Sequence, residues 1–397
     1  MISSLKKRSR RVSWLYELVR KRRAHIKEAE YISLREQYYR KTESLFAEPG
    51  YLAKSRGLLS KYWQGPRQVK SSPKEVRLFA VGATVVGASQ LLPELARSFD
   101  TEVFDFGESC SEIEHGNRRL RDLLQKDLLE SFRKAHRERP VDLAWLSATH
   151  VFVSPETLNE IRRAGVPVAV LNTDDKHLYR EDPRWGFPNG QKPLIGAVDV
   201  HLTNSLECVR WYMAEGAAAC FSPQGVDPEI FKPLPVSKDY DVTFIGAAYG
   251  MRRKFIEKLR NTGIRIACFG QDWGTRFVTD DEKIEIFSRS RINLGVGGVG
   301  SSDRITCVKG RDIEVPGSGN VLLTLYDAEL ARLWCVGKEI LCYYNEIDCI
   351  EQIRYYLERP HEAEAIGRAA RERALREHTW THRLVELLRW MGIMQSS

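Results

Sequence analysis

The sequence predicts an α/β protein with two consecutive doubly wound parallel sheets, preceded by a basic helical extension. Two observations lead to this prediction. Short apolar runs of strand length alternate with helical segments from residue 76 onwards, and the alternation stops once, at a stretch with three prolines over residues 226–238. Strands that alternate with helices are typical of βαβ units and a parallel sheet. The length of 397 residues also exceeds the size at which one core usually divides into two domains.

The first sheet is predicted from five strands and the helices between them. Each strand is a short run of Val, Leu, Ala and aromatic residues, and several of the predicted strands and helices end at a glycine. The predicted strands cover residues 76–87 (ending in a glycine-flanked turn), 101–107, 141–148, 166–175 and 198–205, and the predicted helices cover residues 90–99, 118–137, 155–165 and 207–216.

The second sheet is predicted after the proline-rich linker, where the alternation starts again. Its strands cover residues 240–246, 264–270, 292–297, 321–326 and 338–344, and its helices cover residues 252–263, 284–291, 348–360 and 362–391. In sheets of this kind ligands bind at the carboxyl ends of the strands, so we expect the site in the cleft between the domains. The predicted domains are residues 1–75, 76–235, 236–378 and 379–397.

Residues 1–75 form a cationic arm. They hold 19 Lys and Arg against 7 Asp and Glu, a charge of +12 compared with +8 for the whole chain. Apolar residues recur there at roughly helical spacing, so the arm is predicted to be helical. A basic amphipathic helix suits an anionic membrane surface or an anionic partner. The alternative is a solvated extension that packs on the main body, and no motif predicts specific nucleic-acid binding.

Composition excludes several classes of protein. The chain has no apolar run long enough to span a membrane and no apolar segment behind its basic start, so neither a membrane span nor a secretory signal is predicted. Its eight cysteines are scattered, without a CxxC pair or a tight Cys/His cluster. Neither a disulfide framework nor a structural zinc site is expected. We expect a cytoplasmic protein, with the arm as the part suited to a membrane surface.

Residues 309–320, KGRDIEVPGSGN, combine cations, carboxylates and glycines between two predicted strands. Lys309 and Arg311 stand at the start of a predicted short helix, where backbone N–H groups and the helix dipole favour an anion. Glu314 in the same helix can accept hydrogen bonds from sugar hydroxyls. The pattern indicates a phosphate ester such as a nucleotide sugar. The alternative is that the cations are surface charges and that Glu314 caps a helix.

The segment NTDDKH, residues 172–177, ends a predicted strand and carries candidate catalytic groups. Asp174 or Asp175 could orient or deprotonate an acceptor hydroxyl, and His177 could act as a general base if its pKa stays near neutral. The alternative is that an aspartate caps the next helix and that His177 is merely exposed. His150, at another strand end, is a weaker candidate because a lone histidine there is more often structural.

Residues 295–300, GVGGVG, match the G-x-G-x-x-G pattern of dinucleotide sites. The context does not fit, because no apolar helix follows and no strand ending in an acidic residue stands about 20 residues later. We interpret the segment as a loop beside the phosphate site, and an NAD-dependent oxidoreductase remains the less favoured alternative.

Many short segments, in one order, resemble the CgeB-type glycosyltransferases, a group named for a spore-maturation protein. The resemblance covers roughly residues 76–390 and leaves the basic arm outside. It implies the GT-B fold: two Rossmann-like domains across a cleft, the acceptor in the N-terminal one, the nucleotide-sugar donor mainly in the C-terminal one, and a last helix that crosses back. The segments that carry it are SPETLNEIRRAGVPVAVLNTDDKHLY, VDVHLTNSLECVRWYMAEGA, FSPQGVDPEIFKP, YDVTFIGAAYGMRR, KGRDIEVPGSGN, LARLWCVGKEILCYY, IRYYLERP and RAARERALREHTWTHR.

The resemblance implies roles for residues of the C-terminal half. Glu314 would lie near the donor ribose, and Lys309 and Arg311 near the diphosphate, where they would offset the charge on the leaving group. Arg252 or Arg253 would be a second diphosphate contact. The donor-binding residues expected on this basis are Gly246, Arg252, Arg253, Lys309, Arg311, Glu314, Gly317, Gly319 and Asn320.

In the N-terminal half the resemblance implies an acceptor side. Gly82 and Gly87 would belong to the first glycine loop facing the cleft, with His150 nearby.

The expected reaction transfers a sugar from a UDP-, GDP- or dTDP-sugar to an acceptor without a metal or a bound cofactor. Many retaining GT-B enzymes carry two Glu separated by seven residues. Glu314 matches the second of these, but Thr306 stands where the first would be, so the sequence departs from that pattern. A catalytically silent GT-B-like binding protein is the other alternative.

Overall fold

The computed structural model of the protein describes residues 22, 26, 28–42, 50–61, 63–66, 68–84, 90–114, 116–180, 190–274, 278–299, 302 and 305–396. Gly87, Gly300 and nearly all of the two basic clusters at residues 6–11 and 20–23 lie outside these residues. No helix within the described ranges has the length and apolar character needed to cross a bilayer.

The N-terminal domain contains a parallel sheet of six strands in the order β2-β1-β3-β4-β5-β6. Five of these strands are the predicted ones; the sixth, β6, has only three residues and was not predicted. The strands are β1 Arg77–Gly82, β2 Asp100–Asp105, β3 Leu143–Leu146, β4 Val168–Asn172, β5 Val200–Thr203 and β6 Ala219–Phe221.

The C-terminal domain contains a second parallel sheet, of five strands in the order β11-β10-β9-β7-β8. All five correspond to predicted strands. They are β7 Tyr240–Ile245, β8 Ile266–Phe269, β9 Ser290–Leu294, β10 Leu322–Leu325 and β11 Leu341–Tyr343. The prediction of two consecutive parallel-sheet α/β domains is therefore confirmed.

Helices connect the strands and cover both sheets. In the first domain and its extension they are α1 (28–42), α2 Tyr51–Leu59, α3 Leu91–Ser98, α4 Cys110–Glu114, α5 Arg118–Glu138, α6 Pro155–Arg163, α7 Asp175–Leu178 and α8 Leu206–Ala214. In the second they are α9 Arg252–Asn261, α10 Asp280–Arg289, α11 Arg311–Gly317, α12 Glu346–Glu358, α13 Pro360–Glu377 and α14 Trp380–Met391.

Local sequence explains where these elements start and how they pack. The strand β4, VAVLN, is buried along its whole length, as expected for a parallel sheet with helices on both faces. Helix α6 begins at the N-cap Ser154, whose side chain accepts from the N–H of Thr157, and Pro155 occupies the first helical position. Helix α10 begins with a capping box between Thr279 and Glu282.

Two stretches of chain cross between the domains side by side. In the linker, the N–H of Val226 donates to the carbonyl of His378 at 3.0 Å, and a Cβ at Gly225 would lie only 2.4 Å from the nitrogen of Trp380. Helix α14 then packs in the core cluster that includes Leu91 of α3. The last helix thus returns to the N-terminal domain.

The described part of the N-terminal extension packs on the main body. Tyr38 of α1 is buried, with its ring stacked 5.9 Å from that of Trp211 in α8. Ser55 of α2 exchanges hydrogen bonds with the backbone of Ala219 at 2.7 and 2.8 Å. Helices α1 and α2 therefore act as a structural cover for β6 and α8, while an anionic partner for the preceding basic residues stays a prediction.

Candidate functional site

A pocket of about 370 Å³ lies in the C-terminal domain at the carboxyl ends of β7 and β8. We call it the β7–β8 pocket. Its remaining walls come from α10, α11 and the first residue of α9. Five of the residues predicted from sequence meet here, together with one lysine that sequence analysis did not single out: the lining includes Gly246, Arg252, Lys283, Lys309, Arg311 and Glu314.

Two guanidinium groups meet over one aromatic ring in this pocket. The guanidinium carbon of Arg311 lies 5.0 Å from the centroid of Phe244, and that of Arg252 lies 5.7 Å from it. Arg252 also stacks 3.9 Å from the ring of Tyr249. Each guanidinium donates one hydrogen bond to a backbone carbonyl at the end of β7, at 2.5 Å for Arg311 and 3.1 Å for Arg252. Aromatic faces and carbonyls thus hold the two cations together.

No carboxylate forms a salt bridge with this arginine pair within the described residues. Arg252 is only 3% exposed, and its Nε has no hydrogen-bond partner in the described part of the chain. Burial, and then the positive charge of Arg311, lowers the pKa of Arg252 to about 10. The buried Asp312 offsets part of the positive charge without forming a salt bridge to either guanidinium, and a buried cation that lacks a direct ion pair is costly. The pocket is therefore suited to an anion that would supply the missing charge.

Gly246 allows the arginine pair to lie against the backbone. It follows β7 with a φ of +151°, a region that residues with a Cβ rarely adopt. A Cβ there would lie 2.9 Å from Nη1 of Arg311 and 3.5 Å from Nη1 of Arg252. A side chain at this position would displace the guanidinium group of Arg311, while its Cβ would only touch that of Arg252.

Glu314, three residues after Arg311 in α11, supplies a carboxylate to the pocket. Its Oε1 accepts a hydrogen bond from Nε2 of Gln90 at 3.0 Å and lies 3.7 Å from Nζ of Lys283. Gln90 precedes α3 in the N-terminal domain. No described residue donates to Oε2, so this oxygen remains available to accept a hydrogen bond.

Lys309 joins the pocket to the N-terminal domain. Its Nζ lies 3.2 Å from Oδ1 of Asp174, which is half exposed at the start of α7. Burial by itself would lower the pKa of Lys309, but the interactions with Asp174, Cys307 and Tyr249 together outweigh that effect and the pKa is raised. Lys309 is therefore a charged interdomain contact in this arrangement of the domains.

Further polar contacts fix the domains beside the pocket. Nζ of Lys176 donates to the carbonyl of Thr306 at 2.9 Å. Oε1 of Glu329 accepts from Oγ of Ser205 at 2.8 Å and from the N–H of Leu206 at 2.7 Å, and so caps α8 from the other domain. Sequence analysis missed these groups because the partners lie more than a hundred positions apart and no local pattern links them.

Arg253 does not line the pocket, although it is adjacent to Arg252. It is exposed, donates to the carbonyl of Asp272, and holds its guanidinium carbon 5.0 Å from the ring of Trp273. Consecutive helical residues point about 100° apart around the axis. Only one of the two arginines at the start of α9 therefore faces the pocket.

The far end of α11 contacts the linker and not the pocket. A Cβ at Gly317 would lie 2.7 Å from Cγ1 of Val226, so this glycine permits close packing of protein against protein. Gly319 has a φ of +77° just behind the helix, as expected for a residue that ends it. Asn320 is buried, and its Oδ1 accepts from Nζ of Lys238 in the linker at 3.1 Å. The structure thus places Gly317, Gly319 and Asn320 outside the β7–β8 pocket.

Asp175 is not accessible from the cleft, which corrects its assignment as a catalytic candidate. Its side chain is fully buried. Oδ1 accepts from the hydroxyl of Tyr212 at 2.6 Å and from Nδ2 of Asn172 at 2.7 Å. The carboxylate orders the start of α7 from inside and has no open path to an acceptor.

The other N-terminal candidates lie around the same sheet edge. His177 is partly exposed in α7, and its backbone N–H donates to the carbonyl of Asp174 at 2.9 Å. His150 is buried behind β3, where its carbonyl accepts from Arg121 at 2.9 Å. Gly82 ends β1. Asp174 and His177 are therefore the catalytic candidates that the structure leaves near the cleft.

The glycine motif at 295–300 continues in irregular backbone in the described residues up to Lys309. The next helix is α11, which begins at Arg311. A Cβ at Gly295 would lie 2.1 Å from Oγ1 of Thr324, so this glycine is required for packing against β10. The helix that a dinucleotide fingerprint needs directly behind its glycines is absent from the described part of this segment.

Asp175→Asn is expected to change how stability depends on pH. Burial raises the pKa of Asp175 from 3.8 to about 6, so the folded carboxyl binds its proton more tightly than the unfolded one. Its contribution to stability is fully present below about pH 4 and is lost as the pH rises through about 6. The excess unfolding free energy of the wild type over the variant should fall by about 2 kcal/mol between pH 4 and pH 7 in urea titrations. A pH-independent difference would contradict this assignment.

Comparisons with known proteins agree with this architecture. A family model described as glycosyl transferase-like matches residues 252–389. The chain is similar to AviGT4, a glycosyltransferase involved in avilamycin A biosynthesis, with 13% identity over 80% of this chain and 97% of that one and a TM-score of 0.53. It is also similar to Alr3699/HepE of Anabaena in complex with UDP and glucose, with 12% identity over 79% and 98% of the two chains and a TM-score of 0.52. No curated protein matches the sequence. The fold is GT-B, as expected.

Proposed function

We propose that the protein is a CgeB-type glycosyltransferase that uses a nucleoside-diphosphate sugar as donor. The observation that carries the proposal is the arginine pair at the carboxyl ends of β7 and β8, in which Arg252 is buried, Arg311 is half-buried and neither forms a salt bridge with a described carboxylate. In a GT-B fold this edge faces the cleft, and a diphosphate supplies the charge and the acceptor oxygens that two guanidinium groups match. The matching glycosyl transferase-like family model begins at Arg252 and includes Arg311.

The proposed mechanism assigns one task to each pocket group. Arg252 and Arg311 bind the diphosphate and stabilise the negative charge that builds on it as the glycosidic bond breaks. Glu314 accepts hydrogen bonds from the ribose through its open Oε2. Lys309 adds a third cation when a donor competes with Asp174 for it. We propose that these residues make the departure of the diphosphate independent of a metal.

The acceptor is proposed to bind against the N-terminal domain. There its hydroxyl would attack the anomeric carbon while a base near the cleft takes the proton, and Asp174 and His177 are the candidates for that role. The contacts that already join the two domains favour a closed arrangement, which excludes water and aligns acceptor and donor.

A thermal-shift panel with UDP, GDP, dTDP, their sugars and NAD tests the proposal. We expect stabilisation by at least one nucleoside diphosphate and its sugar, because a ligand at a hundredfold excess over its Kd contributes about 2.7 kcal/mol to folding. Slow hydrolysis of the matching donor without acceptor should accompany it. Stabilisation by NAD alone would overturn the proposal, whereas nucleotide binding without donor hydrolysis would favour a catalytically silent protein.

A further inference from the structure

Gln90 connects three separate parts of the chain. It lies directly before α3 in the N-terminal domain and is 6% exposed. Its side-chain Nε2 donates to Oε1 of Glu314 in α11 at 3.0 Å. Its side-chain oxygen accepts the backbone N–H of Asp227 in the linker at 3.2 Å. One buried amide therefore joins the N-terminal domain, the linker and the β7–β8 pocket, with both of its ends in use.

The linker residue Asp227 is itself tied to α3. It is fully buried, its carboxylate forms a salt bridge with Arg97 of α3, and its Oδ1 accepts the N–H of Glu229 at 3.0 Å. The neighbouring Val226 donates to the carbonyl of His378, in the second crossing between the domains. The position of Gln90 is consequently set by the chain segments that fix one domain relative to the other.

The two oxygens of Glu314 differ in their surroundings. Oε1 receives Gln90 and lies near Lys283, while Oε2 has no donor among the described residues. A carboxylate held through one oxygen has a restricted orientation, and the other oxygen keeps its full capacity to accept. Removing Gln90 would leave only the longer contact with Lys283 to orient the group.

We propose that Gln90 is a positioning residue that couples the arrangement of the two domains to recognition of the nucleoside. Through Oε1 it holds Glu314 so that Oε2 accepts from the ribose hydroxyls of a nucleoside diphosphate. The arginine pair binds the diphosphate without this help, because neither Arg252 nor Arg311 contacts Gln90. This inference rests on the proposed function and adds to it a division of labour between nucleoside and diphosphate.

The first test compares nucleotides with a ligand that has no nucleoside. Titration calorimetry measures the affinities of UDP, GDP, dTDP and inorganic pyrophosphate for the wild type, Gln90→Ala and the control Gln125→Ala. Gln125 is a partly buried glutamine of the same domain that bonds to the carbonyl of Phe152 and the N–H of Ser154. We expect Gln90→Ala to weaken the best-bound nucleotide about tenfold and pyrophosphate less than twofold. Gln125→Ala should change neither.

The second test uses Glu314 as a partner. If Gln90 acts through this carboxylate, Gln90→Ala should have no further effect on nucleotide affinity in a Glu314→Ala background. In Gln90→Glu, two carboxylates face each other, so nucleotide affinity should be low at pH 8 and recover as the pH falls toward 5.5, where a shared proton can replace the amide N–H. The wild type and Gln90→Ala should lack this recovery.

The outcomes separate the two proposals. Equal loss of nucleotide and pyrophosphate, an additive double mutant, or unchanged nucleotide affinity in Gln90→Ala would overturn the role of Gln90 and leave the proposed function standing. A wild type that binds none of the three nucleotides would overturn the proposed function, and the role of Gln90 with it.

Discussion

Replacing either arginine of the pocket, by Arg252→Met or Arg311→Ala, is expected to weaken nucleoside-diphosphate binding about 10- to 100-fold. A hydrogen bond to a charged group contributes about 1.5–3 kcal/mol, and each 1.4 kcal/mol corresponds to a factor of ten in affinity. Neither guanidinium group forms a salt bridge within the described residues, so no internal ion pair is lost in these variants that would offset the effect on binding. Titration calorimetry with UDP, GDP and dTDP measures the effect.

Arg252→Met adds a stability readout to the binding result. Methionine keeps an apolar stem of similar reach beside Phe244 and Tyr249 but removes a cation that is 3% exposed. Because the buried charge is costly without an anion, the free energy of unfolding of the ligand-free variant should equal or exceed that of the wild type. If Arg252 served only to stabilise the fold, Arg252→Met would instead lower the free energy of unfolding and leave nucleotide binding unchanged.

Arg253→Ala is the matched control for this experiment. It removes the same type of side chain from the adjacent position of α9, where Arg253 is exposed and contacts Asp272 and Trp273. We expect its nucleotide affinity to stay within about twofold of the wild type, apart from a small long-range charge effect that salt screens. An equal loss in Arg253→Ala, or none in Arg311→Ala, would contradict the assignment of the pocket.

The second large effect concerns stability: Glu94→Ala is expected to lower the free energy of unfolding by about 2–4 kcal/mol. Glu94 of α3 is 4% exposed. Its Oε1 accepts from the N–H of Thr381 at 2.8 Å and from its hydroxyl at 2.7 Å, and Oε2 accepts from the N–H of Trp380 at 3.2 Å. The N–H groups of Trp380 and Thr381 at the start of α14 would lose their acceptor, since alanine offers none, while the hydroxyl of Thr381 would keep its contact with Oγ of Ser98 at 2.7 Å.

Urea unfolding followed by circular dichroism measures this loss. Glu138→Ala is the control, because Glu138 is exposed at the end of α5, where a substitution normally changes stability by less than about 0.5 kcal/mol. Glu94→Gln should fall between Glu94→Ala and the wild type, since one side-chain oxygen remains to accept. If Glu94→Ala were as stable as the control, α14 would be held by its apolar contacts alone.

The strand pattern was predictable because each long strand is a local apolar run between helices and glycine stops. The strand β6 was missed because three residues, ACF, carry too little pattern to distinguish a strand from a buried turn. The helical spacing of Leu34 and Tyr38 was also visible in the sequence, and both are buried in α1. What the spacing could not show is the partner, since Trp211 lies far along the chain.

The candidate site was predictable only in part, for a related reason. Arg311 and Glu314 stand out because the composition of residues 309–320 is unusual within a short window. The same window also contains Gly317 and Gly319, and it offered no means to see that the far end of α11 turns toward the linker. In each of the adjacent pairs Arg252–Arg253 and Asp174–Asp175, only the packing of the helix shows which member faces the site.

Local sequence alone determined the two-sheet fold and the approximate position of the cationic motif, because both arise from residues close together in the chain. The tertiary structure decided which groups act together. Glu314 meets Gln90 across 224 positions, and Lys309 meets Asp174 across 135. Contacts of this range depend on how the two domains are placed. Burial in that arrangement then shifts the pKa values of the charged groups. The cation Arg252 becomes the centre of the site because its surroundings leave it buried and without a salt bridge.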